Sequence, residues 1–463
     1  MSLSAGTHGV VIVHGIGDQR PGDTLADFSK ALCDMLINST VDSPNGRIPP
    51  EIQLKSDVSG SPSSVTLQIT SPNGKEKATW ICQEAYWNDA FPAPPPTQVL
   101  WWGVNHNLGE QFRSLLKILR DPSNEKLPSE RETEKEEAKR KSGVKNAGSI
   151  RLARRAKAPI VVKSSSVSGA ALIILVPLTY GLLGAIWLLH FIPSIGPLDK
   201  VVKWIRKLDP FISSGLGDIA RYVDHEIWSA NARARVENVV IGMLQKREIK
   251  DITIVAHSMG AIVTYDALTE GGNIAQAVSQ LVETDRKKIT FVSVGGAINR
   301  VLTLISSPGL PKAKHRTDKE IKFNDLQIPR PLAKIITAGD KFYWLDIFAR
   351  RDPVPAGPVS DDIIAKAGID PVKQMKERMV INKDSLIYDH VTYWENKELV
   401  MPRIARAING GTEYPWPEAG ITEEKVSRRI GIALRYASLI EIVFSLIALG
   451  LIVFAGLKLT GTI

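Results

Sequence analysis

Short unbroken apolar runs, each stopped by glycine or a polar turn, mark buried strands along this chain. Val10 to Val13 runs into His14-Gly15, "DITIVAH" runs into Ser258, and "KITFVSVGG" ends on its own glycine pair. "FYWLDIFA" is a further run, and it reaches "RRDPVP". Between them the period changes from continuous to helical. Leu25, Phe28, Leu32 and Leu36 share one face of a helix predicted over 24–37. Further helices are predicted over 231–246 and from Ala261 to about Leu268. "SVTLQIT" alternates like a half-buried strand. Ser71-Pro72-Asn73-Gly74 reads as a turn, with "ATWICQEAYW" as the partner strand. "FPAPPPT" then breaks regular structure, and a Pro- and Lys-rich loop is expected over 306–332. The last patterned stretch is "SLIYDHVTYW". Strands alternating with helices from residue 231 onward imply parallel βαβ units. The expected fold class is therefore α/β, a mainly parallel sheet with helices on both faces.

Two apolar stretches are too long for this scheme. Residues 170–192, "AALIILVPLTYGLLGAIWLLHFI", and residues 437–457, "ASLIEIVFSLIALGLIVFAGL", each reach the roughly 18 to 20 apolar residues that span a bilayer. Glu441, the one acid in the second, lies near its N-terminal end, where it can reach the interface. Arg428, Arg429 and Arg435 precede that segment, which reads as a C-terminal transmembrane anchor with the domain before it on the cytoplasmic side. "LDKVVKWIRKL" has the amphipathic spacing of a helix that can lie on a membrane surface.

Charge sharpens the picture in one place. The net charge is +9, and the stretch from Lys139 to Lys163 carries nine basic residues and no acid, so the remainder is formally neutral. Such a local patch differs from the spread basic surface of a nucleic-acid-binding protein, and no nucleic-acid partner is expected. Residues 121–141 are densely charged and read as a solvated helix or loop. Two cysteines, Cys33 and Cys82, cannot build a disulfide framework. No Cys/His cluster has metal-ligand spacing, so neither metal nor cofactor is expected. The N-terminus lacks the basic and apolar regions of a signal peptide.

The chemistry centres on "AHSMG", residues 256–260. A nucleophile elbow needs a strand entering the serine, small flanking residues and a helix leaving at once. Ala256 and Gly260 are the small flanks of Ser258. In chain order a serine, then an acid, then a histidine should follow strands. Asp352 sits just past "FYWLDIFA", and His390 is the one histidine downstream of it. His390 would take the Ser258 proton, and Asp352 would hold the imidazole tautomer. Asp346 is inside a strand, where a carboxylate is costly to bury, and ranks behind Asp352. Asp389 adjoins His390 but points elsewhere in an extended chain. The oxyanion hole needs two backbone donors. Met259 N–H follows the nucleophile at a helix start. Ile16 N–H lies in the loop after the first strand, where His14, Gly15 and Gly17 let the backbone turn toward the substrate.

"VIVHGIGDQ", "VAHSMGAIV", "FVSVGGAI", "RRDPVP" and "DHVTYW" together resemble the α/β-hydrolase lipases and esterases, most closely a membrane-associated branch with a His-Gly-Ile-Gly-Asp start. The resemblance covers about residues 8 to 104 and 231 to 405. It implies an α/β-hydrolase fold, a Ser258, Asp352 and His390 triad, and oxyanion donors at Ile16 and Met259. Two departures stand out: Ala256 in place of glycine, and a long insertion. The implied organisation is a first hydrolase part over 1–104, an insertion over 105–230 holding the membrane-associated segment 170–192, a second hydrolase part over 231–430, and the anchor over 437–457.

The expected function is a membrane-anchored serine hydrolase acting on an acyl ester, with lipid favoured because apolar segments place the site at a bilayer. An acyltransferase or thioesterase on the same triad is the alternative, as is an inactive membrane scaffold of the same fold. Topology adds a constraint. Ile16 and Ser258 must share one site, so the chain between them crosses a membrane an even number of times. Segment 170–192 is then a re-entrant or monotopic element, with Pro177, Gly181 and Gly184 as places for a break.

Overall fold

In the computed structural model the described residues are 3–17, 19–38, 41–43, 46–57, 63–71, 74–90, 222, 226–282, 285–299, 301–302, 330–350, 352, 354–355, 357–383 and 388–410. The chain divides into two compact units, Met1–Pro95 with Pro210–Ala448, and Pro96–Asp209 with Leu449–Ile463; every described residue belongs to the first. Segments 170–192 and 437–457, the stretches 121–141 and 139–163, and "LDKVVKWIRKL" lie outside the described residues. Among the described residues no helix is long and apolar enough to cross a membrane.

In chain order the elements are β1 (Gly6–Val13), α1 (Asp23–Asn38), β2 (Val41–Ser43), β3 (Gly46–Ile48), β4 (Glu51–Asp57), β5 (Ser64–Thr70) and β6 (Lys77–Glu84). There follow α2 (Glu226–Gln245), β7 (Ile249–His257), α3 (Met259–Ala267), α4 (Asn273–Gln280), β8 (Lys288–Val294), α5 (Lys334–Thr337) and β9 (Phe342–Ala349). The last are α6 (Asp361–Ala367), β10 (Met375–Val380), α7 (Tyr388–Val391) and α8 (Met401–Ile408). Strands β2 and β3 pair as a small antiparallel ribbon. The others form an eight-stranded sheet in the order β10-β9-β8-β7-β1-β6-β5-β4. From β10 to β6 every pairing is parallel, while β5 and β4 complete one edge as an antiparallel hairpin. The fold is thus α/β with a mostly parallel sheet.

Strand alternation sorts the core into two layers. Val11, Val13, Ile252, Ile254 and Ala256 face one side and pack with Val236 and Val240 of α2, Ile262 of α3 and Ile274 of α4. Val10, Ile12, Val255, Val292 and Ile347 face the other side and pack with α1 and α8. The predicted face of α1 is the buried one: Leu25, Phe28, Leu32 and Leu36 are all within 2% of full burial. Each such side chain stabilises the fold by about 1.5 to 3 kcal/mol relative to exposure.

This order decides where a ligand can sit. From β1 the chain goes to the strands on its β6 side; from β7 it goes the opposite way, to β8, β9 and β10. The reversal falls between β1 and β7, and a crevice opens at the carboxyl ends of the strands where such a reversal occurs. Val13 pairs with Ala256, so His14-Gly15 and His257-Ser258 leave the sheet side by side at that point.

At "SLIYDHVTYW" the structure differs from the extended chain expected there. Residues Tyr388–Val391 form a helical turn and not an extended chain. Asp389 still points away from the site, for a different reason: its side chain is fully buried and accepts a hydrogen bond from Lys383 N–H at 2.7 Å.

Candidate active site

Ser258 ends β7 and begins α3 in a backbone conformation of φ 55°, ψ −123°, the only positive φ outside glycine among the described residues. A non-glycine residue there stores about 1 to 3 kcal/mol of strain, which the surroundings must hold. They do so through three backbone bonds. Ser258 N–H donates to Val294 O at 3.1 Å, while Ala261 N–H and Ala297 N–H donate to Ser258 O at 3.1 and 3.0 Å. The turn also needs close approach. A Cβ on Gly260 would stand 2.4 Å from His14 O and 2.8 Å from Val13 O, so only glycine lets α3 start against β1. Ala256 is fully buried in β7 between Val13 and Ser293, the place of the first small flank.

The predicted triad is assembled. Ser258 Oγ–H donates to His390 Nε2 at 2.9 Å, and His390 Nδ1–H donates to Asp352 Oδ2 at 2.9 Å. The Asp352 side chain is fully buried, with each oxygen occupied. Oδ1 accepts from Val354 N–H at 2.9 Å, and Oδ2 accepts from Tyr393 O–H at 2.8 Å as well as from His390. The same phenol oxygen accepts from Ala349 N–H at 2.8 Å, tying the acid to the last residue of β9. Burial, and after it the Asp352 charge, push the Tyr393 phenol well above its ordinary range, so it stays a donor. Asp346, the carboxylate inside β9, lies apart from this relay. It is fully buried, accepts from Ser293 Oγ–H at 2.6 Å and Val359 N–H at 3.2 Å, and burial pushes it up to about 6.

Two residues of the site escaped sequence reasoning. Tyr393 is one; in "VTYW" nothing marks one aromatic as reaching an acid 41 residues earlier. His257 is the other, and it sits at the unspecified second position of the pentapeptide. Its Nε2–H donates to the His390 carbonyl at 2.9 Å, and its ring stacks on the His390 ring at 4.9 Å. Burial, and after it the proximity of His390, push His257 down to about 3.

On the other side of Ser258 runs the loop after β1. A Cβ on Gly15 would stand 2.8 Å from Ser258 Cβ and 3.4 Å from Ser258 Oγ, which places the Gly15 backbone directly against the Ser258 side chain. Ile16 follows it, Gly17 takes φ +140°, and Gln19 Nε2–H donates to Ile16 O at 3.4 Å. Met259 is fully buried as the first residue of α3, where a helix presents N–H groups without intrahelical partners. His14 is buried beside Trp87, and burial pushes it down to about 4.

Two neutral buried histidines make stability depend on pH. An unfolded histidine takes up its proton near pH 6.5, whereas folded His14 and His257 resist doing so until about 4 and 3. Between those values the unfolded chain binds more protons, so stability is full above pH 6.5 and falls as the pH drops toward 4. Buried His8, also lowered by burial, adds to this slope, while Asp346, Glu84 and Asp266, all raised by burial, act in the opposite sense, so the share of His257 is read from a variant. Melting temperature measured from pH 7.5 to 4.5 should fall more steeply for the wild type than for His257→Gln, whose amide replaces the Nε2–H without taking up a proton. Equal slopes would show that His257 is not held neutral.

Cys33 and Cys82 are both free, and burial raises both thiols, so neither offers a ready thiolate. Among the described residues no cluster of His, Cys, Asp or Glu could hold a metal ion. The site is a serine hydroxyl hydrogen-bonded to an imidazole, beside a glycine-lined backbone turn. No family model, curated protein or solved structure matches the chain.

Proposed function

We propose that the chain is a serine hydrolase of the α/β-hydrolase type that cleaves carboxylic esters. The observation that carries this reading is the Ser258–His390–Asp352 relay mounted on a strained elbow at the sheet's reversal point. Ser258 Oγ attacks the acyl carbonyl carbon while its proton passes to His390 Nε2. The charge that develops on the carbonyl oxygen is held by the Ile16 and Met259 N–H groups. Collapse breaks the ester C–O bond, and His390 returns the proton to the leaving alcohol. Water, deprotonated by His390, then attacks the acyl-enzyme and frees the carboxylate and Ser258. Asp352 keeps the imidazole in the accepting tautomer throughout.

The substrate proposed is a lipid ester, and its support lies in the sequence: apolar segments 170–192 and 437–457 would bring the site to a bilayer. The closeness of Gly15 to Ser258 supports the topological half of that reading, since both must lie on one side of any membrane. An activity-based fluorophosphonate probe tests the reaction. The wild type in membranes should label at Ser258, and Ser258→Ala should not label. Absence of labelling in the folded wild type would remove the hydrolase reading.

A further inference from the structure

We propose that His14 is a positioning residue that fixes the oxyanion-hole peptide, acting through the Gly15 carbonyl and locked in place by Trp87. The proposal rests on the hydrolase reading of the site. Its starting point is a tautomer that hydrogen bonding alone determines. Trp87 N–H donates to His14 Nε2 at 3.0 Å. A backbone amide can only donate, so Nε2 is the bare nitrogen. Nδ1 therefore carries the proton and donates to Gly15 O at 2.7 Å.

Gly15 C=O and Ile16 N–H belong to one planar trans peptide and point in opposite directions. Fixing the carbonyl therefore fixes the N–H. The need for a fixed peptide is local. Glycine at 15 and glycine at 17 flank Ile16, and glycine backbones rotate at little cost. A flipped peptide would aim the Gly15 carbonyl, and not the Ile16 N–H, at a developing negative charge. The imidazole in turn is held on all sides. It stacks on the Trp87 indole at 5.0 Å with an interplanar angle of 4°, and Trp87 Nε1–H donates to His14 O at 2.9 Å. Tyr86 covers it at 5.2 Å, and His14 is 1% exposed. Trp87 itself follows β6, the strand on the far side of β1 from the nucleophile, so the clamp is anchored in the sheet and not in the loop it holds.

The test uses the full chain in membranes with a soluble chromogenic acyl ester, and an alkylboronic acid as a tetrahedral mimic. His14→Phe keeps a ring for stacking but removes both ring hydrogen bonds; His14→Asn keeps a donor near the Nδ1 position. His14→Phe should lower kcat about thirtyfold, weaken the boronic acid by a similar factor and leave KM within about twofold, because the lost contact serves only the charged intermediate. His14→Asn should recover part of the loss. A folded His14→Phe with wild-type kcat overturns the proposal, as does an equal loss in both variants, which would mean packing alone. Should neither variant fold, the imidazole nitrogen resonances of the wild type decide: a neutral Nδ1–H tautomer supports the clamp, and Nε2–H overturns it. Wild-type protein without Ser258-dependent turnover overturns the hydrolase reading first and the clamp with it.

Discussion

Asp352→Asn should lower kcat by about ten-thousandfold while changing KM little, because it leaves the shape of the site intact and reverses its hydrogen-bond polarity. Asp352 accepts at every contact: from His390 and Tyr393 at Oδ2, and from Val354 N–H at Oδ1. An asparagine has one accepting end. With its NH₂ toward His390, the imidazole must become the Nε2–H tautomer and can no longer take the Ser258 proton. With its NH₂ toward Val354, two donors face each other across about 2.9 Å, a distance set by the present bond. Either arrangement loses the general base or the loop that carries it. Steady-state turnover of an acyl ester and the rate of fluorophosphonate labelling should fall together. Asp346→Asn is the matched control: that carboxyl is equally buried but bonds to Ser293 and Val359, so its loss should affect stability and leave turnover within a few-fold. A loss below tenfold for Asp352→Asn would remove Asp352 from the relay.

The difference between Asp346 and Asp352 is legible in the sequence, and the reason generalises. Strands that cross the core announce themselves as unbroken apolar runs, so β1, β7, β8 and β9 were readable, and with them the strand ends where chemistry collects. Edge elements lack that signal. In β10, "MKERMV", only the first and last residues are buried, and β4 is exposed almost throughout. Neither shows the alternation that would identify it, and the strand preceding His390 was missed for that reason. The helical turn at Tyr388–Val391 is four residues long, too short for any period to appear. The supporting residues were hidden differently. His257, Tyr393 and the His14–Trp87 pair act through contacts between segments far apart in the chain, as the separation of 73 residues between His14 and Trp87 shows. Pattern along a sequence reports which face a residue presents, and it is silent on which distant backbone group that face meets.

Gly260→Ala should cost the fold about 3 kcal/mol or more, seen as a fall in melting temperature of about 6 to 12 °C, with activity lost as a consequence. The new methyl would stand 2.4 Å from His14 O and 2.8 Å from Val13 O, both backbone atoms at the end of the central strand β1. Side chains can rotate away from a collision; a carbonyl in a sheet moves only if the strand does. Val13 pairs with Ala256 across β1 and β7, so shifting it also disturbs the register that brings Gly15 beside Ser258. Gly15→Ala offers the contrast. There the methyl meets Ser258 Cβ at 2.8 Å, His257 Nδ1 at 3.2 Å and Ser258 Oγ at 3.4 Å; Ser258 Cβ moves only with its backbone, so the relief must come from Gly15 itself, which lies in a loop beyond the strand. That protein should melt within a few degrees of the wild type, yet label with fluorophosphonate at least a hundredfold more slowly, since the methyl stands where an acyl carbonyl must approach and where the oxyanion peptide begins. The two alanines thus separate building the elbow from using it. If Gly15→Ala proved as unstable as Gly260→Ala, or as active as the wild type, the loop after β1 would have no special place beside the nucleophile.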